Sequence, residues 1–169
     1  KGKEIDRITA FTGEFAERMQ RKIGLEQSLK RALEKEELYL AYQPLVDLNT
    51  KEIIGVEALL RWEHPKYGNI TPMEFIPIAE ESDLITTIGD WAMREACRQV
   101  KIWHKKGSRI YVAVNVSLRQ IWQKEFVQTV HTILKETGIE AKYLKFEITE
   151  SLMYSEVESK QLLRDLKSI

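Results

Sequence analysis

Glu57-Ala58-Leu59-Leu60-Arg61-Trp62 closes a run from Glu52 to Trp62 that is rich in aliphatic and β-branched residues and reads as a buried strand. Side chains alternate along a strand, so Ile54, Val56, Ala58 and Leu60 share one face, while Ile53, Gly55, Glu57, Leu59 and Arg61 share the other. The first face is wholly apolar. The second carries a carboxylate and a guanidinium flanking Leu59 near the C-terminal end of the strand, where α/β folds place their chemistry. An isolated Glu and Arg in this setting are more often a structural ion pair than a site. Two further strands change that weighting.

Arg109 to Ser117 sets Ile110, Val112, Val114 and Val116 against Tyr111, Ala113, Asn115 and Ser117, and Leu144 to Thr149 sets Leu144, Phe146 and Ile148 against Lys145, Glu147 and Thr149. All three strands thus pair an aliphatic face, suited to packing under helices, with a face bearing one metal-capable oxygen: Glu57, Asn115 or Glu147. If the sheet curls into a barrel, these oxygens converge. Two carboxylates and an amide carbonyl suit a hard divalent cation such as Mg²⁺ or Mn²⁺ rather than Zn²⁺. Polar residues inside barrels also pack as neutral hydrogen-bonded layers, so the pattern alone leaves both readings open.

The rest of the chain supplies the elements around these strands. Lys1 to Thr12 reads as an irregular polar tail, and Glu14 to Lys35 as an amphipathic helix striped by Phe15, Met19, Ile23, Leu29 and Leu33, with an interruption at Gly24. Leu38 to Leu48 reads as a strand, interrupted or at an edge at Pro44, that pairs antiparallel with the next strand across Asn49-Thr50-Lys51. His64 to Asn69 reads as a loop in which His64 is a hydrogen-bonding rather than a metal-binding residue. Thr71-Pro72-Met73-Glu74 has the form of a capping box opening a short helix to Glu81, and a long helix spans Leu84 to Lys106. Further helices are expected from Gln123 to Thr137, stopped at Gly138, and from Ser155 to Lys167. Strands alternating with helices imply right-handed crossovers and a parallel sheet covered by helices.

Composition narrows the function classes. The 169 residues are 43% hydrophobic and 31% charged, sufficient for one domain with a sizeable core. Lys plus Arg and Asp plus Glu both number 26, so no basic excess argues for a nucleic-acid polymer or an anionic membrane as partner, although a small anion held by one or two arginines stays open. No apolar run approaches the roughly 20 residues that cross a bilayer, and the expected setting is soluble. The single cysteine, Cys97, cannot form an internal disulfide, which fits a cytoplasmic location, and its core-facing neighbours make it structural rather than nucleophilic.

Tyr42-Gln43-Pro44-Leu45, Glu57-Ala58-Leu59-Leu60-Arg61-Trp62, Phe75-Ile76-Pro77-Ile78-Ala79-Glu80-Glu81, Asn115-Val116-Ser117 and Glu147-Ile148-Thr149-Glu150-Ser151 together resemble, in order and spacing, the EAL family of cyclic di-GMP phosphodiesterases. The resemblance covers residues 25–169 and implies a partial TIM-like (β/α) barrel whose first strand is antiparallel, cut before the later βα units. It implies hydrolysis of cyclic di-GMP to linear pGpG with Mg²⁺ or Mn²⁺. Carried over residue by residue, Glu57, Asn115 and Glu147 look like metal ligands, Arg61 like the phosphate contact, Gln43 and Leu59 like substrate contacts, and Glu150 like a catalytic-loop glutamate. Residues 1–24 resemble a helical linker, similar to the end of a GGDEF domain. The family's aspartate pair and catalytic lysine fall after Ile169, so the chain alone is expected to be inactive, and its open sheet edge is expected to pair with a second copy as a homodimer. A cyclic di-GMP receptor without turnover, or a protein-interaction domain, is the alternative.

Overall fold

The computed structural model describes residues 2–148, with side chains from Gly13 onward. It opens on one unbroken helix, α1 (Gly2–Leu29), so the irregular tail expected before Thr12 is helical and Gly24 does not interrupt it. The reason is that the stretch contains no proline and its Glu, Lys, Arg and Gln residues are good helix formers, while a glycine costs only about 1 kcal/mol relative to alanine. The expected apolar stripe also divides. Leu25 and Leu29 are buried, whereas Phe15, Met19 and Ile23 are 59%, 43% and 50% exposed.

After α1, β1 (Leu38–Val46) and β2 (Ile53–His64) form the antiparallel hairpin that their pattern predicts, with Gln43 opposite Glu57. The loop expected after His64 instead returns as a short strand, β3 (Gly68–Ile70), paired antiparallel to the end of β2; Gly68 at φ 66° makes the tight reversal possible. Helices α2 (Pro72–Glu81) and α3 (Leu84–Lys105) carry the chain across to β4 (Tyr111–Asn115), parallel to β2. A four-residue helix, α4 (Leu118–Ile121), and α5 (Phe126–Thr137) then lead to β5 (Leu144–Glu147), parallel to β4. Strand order is β1-β2-β4-β5. The helix expected over Ser155 to Lys167 lies outside the described residues.

Two apolar cores hold this arrangement. Val56 and Ala58 of β2 and Val112 and Val114 of β4 pack under Met93, Ala96, Cys97 and Val100 of α3 and Val130 and Ile133 of α5. Trp62, fully buried, anchors the second core with Leu25 and Leu29 of α1, Phe75 and Ile78 of α2, and Ile85 and Ile88 of α3. Helix α3 belongs to both cores. Its position relative to the sheet is therefore determined at two places.

The capping box expected at Thr71 does not form: Thr71 is the N-cap residue, but its side chain makes no cap hydrogen bond. Glu74 is drawn instead to Arg21 of α1, whose Nε and Nη2 donate to Oε1 and Oε2 at 2.5 and 3.1 Å. Burial pushes the Cys97 thiol up to about 12, in keeping with a structural cysteine.

Candidate active site

The face of the sheet opposite the helices is built in steps from its floor to its C-terminal rim. At the floor, Tyr111 of β4 lies across Gly55 of β2; a Cβ at Gly55 would meet ring atoms of Tyr111 at 2.6 Å, so only glycine admits the ring without rearrangement. The ammonium of Lys145 on β5 sits 3.4 Å from the Tyr111 ring centroid. One pair further along, Glu57 is in register with Ala113, and Ala113 with Lys145. At the rim, Asn115 is in register with Glu147.

This stagger brings three of the expected residues together. Asn115 Nδ2 donates to Glu57 Oε1 at 2.8 Å, and Glu147 interacts with Glu57 as well. Burial pushes the Glu147 carboxyl above its ordinary range, and the like charge of Glu57 and a hydrogen bond with it add to the rise. Two carboxylates held this close share a proton or a cation. Asn115 donates one amide N–H to Glu57, and its Oδ1 has no hydrogen-bond partner among the described residues. The donor set is therefore two carboxylates and one amide oxygen, and it fits a hard divalent cation with water completing the shell.

Beside this cluster opens a cleft of about 780 Å³, lined by Leu59 and Arg61 of β2, Met73 and Glu80 of α2, and Asn115 and Glu147 among others. Arg61 is half-buried and its Nη1 donates to the Leu60 carbonyl at 2.9 Å, while among the described residues it forms no ion pair with Glu57. A structural ion pair is thus not what the two residues make. Gln43 is exposed on β1, across from Glu57 in the hairpin. Glu150 lies outside the described residues. His64 is a structural hinge of the hairpin: its Nδ1 accepts from the amides of Lys66 and Tyr67, and its Nε2 meets Ser28 Oγ of α1.

Reasoning from strand alternation missed the turn that follows β4. Ser117 N-caps α4 with a complete capping box: Gln120 N donates to Ser117 Oγ at 3.3 Å and Ser117 N donates to Gln120 Oε1 at 3.1 Å. The Ser117-Leu118-Arg119-Gln120 spacing carried this signal in the sequence. Arg119, also lining the cleft, donates from Nη1 to Asp83 Oδ1 at 2.7 Å.

Residues 26–169 match the EAL domain family. The chain is 44% identical to MucR of Pseudomonas aeruginosa, a bifunctional diguanylate cyclase/cyclic di-GMP phosphodiesterase, over 133 residues that make up 78% of this chain and 19% of that protein. It is 37% identical to the cyclic di-GMP phosphodiesterase PdeR of Escherichia coli over 143 residues, 85% of this chain and 22% of that one. The chain thus spans about a fifth of the length of these curated relatives. Among solved structures, the PaMucR phosphodiesterase in complex with cyclic di-GMP matches with a TM-score of 0.83 and 41% identity over 86% of this chain and 60% of that one. The antiparallel opening strand, the parallel strands after it and the helices over one face are the N-terminal part of that TIM-like barrel, and the chain belongs to the EAL domain family.

Proposed function

We propose that this chain is part of a phosphodiesterase that hydrolyses cyclic di-GMP to linear pGpG with the help of Mg²⁺ or Mn²⁺. The observation that carries the reading is the contact of Asn115 Nδ2 with Glu57 Oε1, with Glu147 beside them, at the edge of a cleft that also contains Arg61. Glu57, Asn115 and Glu147 are the residues that would hold the cation. When bound, it supplies an acidified water and charge neutralisation at the phosphoryl oxygens. Arg61, already oriented by the Leu60 carbonyl, retains N–H donors for the phosphate. Leu59 offers an apolar wall beside it, and Gln43, across the hairpin from Glu57, offers an amide to the substrate. Under the same reading Glu150 has the role of the family's catalytic-loop glutamate. Relatives named as cyclic di-GMP phosphodiesterases, and a solved relative in complex with cyclic di-GMP, support it.

The same reading assigns residues 1–24 to a linker from an upstream GGDEF or sensory domain, with a second copy of the chain as a partner. The exposed Phe15, Met19 and Ile23 of α1, beside a buried Leu25 and Leu29, support a helix that leaves the domain before its C-terminal turns dock. The test is to incubate the protein carrying the complete domain with cyclic di-GMP and follow pGpG by chromatography, with Mn²⁺, with Mg²⁺ and with EDTA. Metal-dependent appearance of pGpG that EDTA abolishes is the expected result. Tight binding of cyclic di-GMP with no turnover under any metal would replace the enzyme by a receptor.

A further inference from the structure

Asn115 is exposed at the end of β4, and its side chain has one described partner, Glu57. Its direction is consequently set by the backbone that follows. That backbone is fastened twice. Val116 N donates to the Glu147 carbonyl at 3.0 Å, tying the end of β4 to the end of β5. Ser117 N donates to Gln120 Oε1, closing the capping box from the other side.

Gln120 is unusual for an amide in a surface turn, being only 2% exposed. Its side chain lies directly on Gly89 of α3: a Cβ there would fall 1.8 Å from Nε2, 2.5 Å from Cδ and 2.8 Å from Oε1. The missing side chain of Gly89 is the space that Gln120 occupies. Because α3 is anchored in both cores, Gln120 conveys the position of a rigid helix to the turn carrying Asn115.

We infer that Gln120, seated on Gly89, is the positioning residue that sets Asn115 against Glu57 and Glu147. The inference rests on the metal-site reading above. Residues that orient ligands without touching the metal typically change metal affinity by roughly ten- to a hundredfold when removed. A residue that merely caps a four-residue helix would lower stability and leave metal affinity alone.

The experiment is Mn²⁺ titration of the protein carrying the complete domain, followed by the electron paramagnetic resonance of free Mn²⁺, with pGpG formation at saturating Mn²⁺ measured alongside. Gln120→Ala is expected to raise the Mn²⁺ dissociation constant roughly tenfold or more, with turnover largely recovered at saturating metal. Val130→Ala, which opens the core under α5 at a residue that does not line the cleft, is expected to lower stability and leave the constant unchanged. Gly89→Ala should be more damaging than Gln120→Ala, and the double variant no worse than Gln120→Ala alone, since the clash needs both groups. A folded Gln120→Ala with wild-type Mn²⁺ affinity would overturn the positioning role, as would a double variant as damaged as Gly89→Ala. Wild-type Mn²⁺ affinity in Glu57→Ala would instead overturn the metal reading on which the inference stands.

Discussion

On the helix-covered face of the sheet, Val56, Ala58, Val112 and Val114 are 5% exposed or less, whereas on the opposite face Glu57 is half-buried and Asn115 and Glu147 are exposed. These residues alternate along the same strands. The covered face obtains its stability from apolar area removed from water, at about 25 cal/mol per Å². On the open face burial lifts the Glu147 carboxyl, and the like charge of Glu57 adds to the rise, so ionising Glu147 works against folding. Folding and chemistry are therefore separable by substitution, one residue apart on one strand.

The sharpest way to break the comparison is Glu57→Ala. Turnover of cyclic di-GMP in the complete-domain protein is expected to fall at least about a thousandfold, roughly 4 kcal/mol of transition-state stabilisation, while stability by urea unfolding changes by no more than about 0.5 kcal/mol. Retained turnover, or a large stability loss, would merge the two faces. Val112→Ala on the covered face is expected to do the reverse. It should cost about 2–3 kcal/mol in urea unfolding, from lost burial and the cavity left behind, with Mn²⁺ affinity intact.

A smaller effect sharpens the comparison from the helix layer. Asp90 on α3 has its carboxyl pushed above its ordinary 3.8 by burial, with Arg94 acting in the opposite direction. The folded protein therefore holds this proton more tightly than the unfolded chain. Its contribution to stability is present below the ordinary value and is lost as pH rises through the raised one. Asp90→Asn should remove that dependence, so the stability of the variant relative to the parent should rise as pH climbs from the ordinary 3.8 through the raised value. Parallel unfolding curves across that range would show that Asp90 does not titrate differently on folding.

The smallest effect separates two helix starts of similar sequence. Ser117→Ala should cost about 1 kcal/mol because its hydroxyl accepts from Gln120 N. Thr71→Ala should stay within a few tenths, because Thr71 makes no side-chain cap bond. Equal losses on thermal unfolding would count against this assignment of the caps.

The amino-acid sequence by itself determined the alternation of the three strands, and with it the shared face of Glu57, Asn115 and Glu147, because a period of two leaves no freedom about which side chains travel together. It also carried the antiparallel hairpin, the long helix α3 and the burial of Cys97, since each rests on a local pattern of apolar spacing. Tertiary structure decided what depended on distant partners. Glu74 left its capping box for Arg21, 53 residues away in the chain, because a bidentate charged pair outweighs a local backbone contact. Helix α1 buried Leu25 and Leu29 but left Phe15, Met19 and Ile23 exposed, since an apolar stripe is buried only where another element meets it. Gly89 and Gln120, separated by a helix and a strand, became neighbours only through the βα crossover, and no reading of either alone could show that the absence of one side chain makes room for the other.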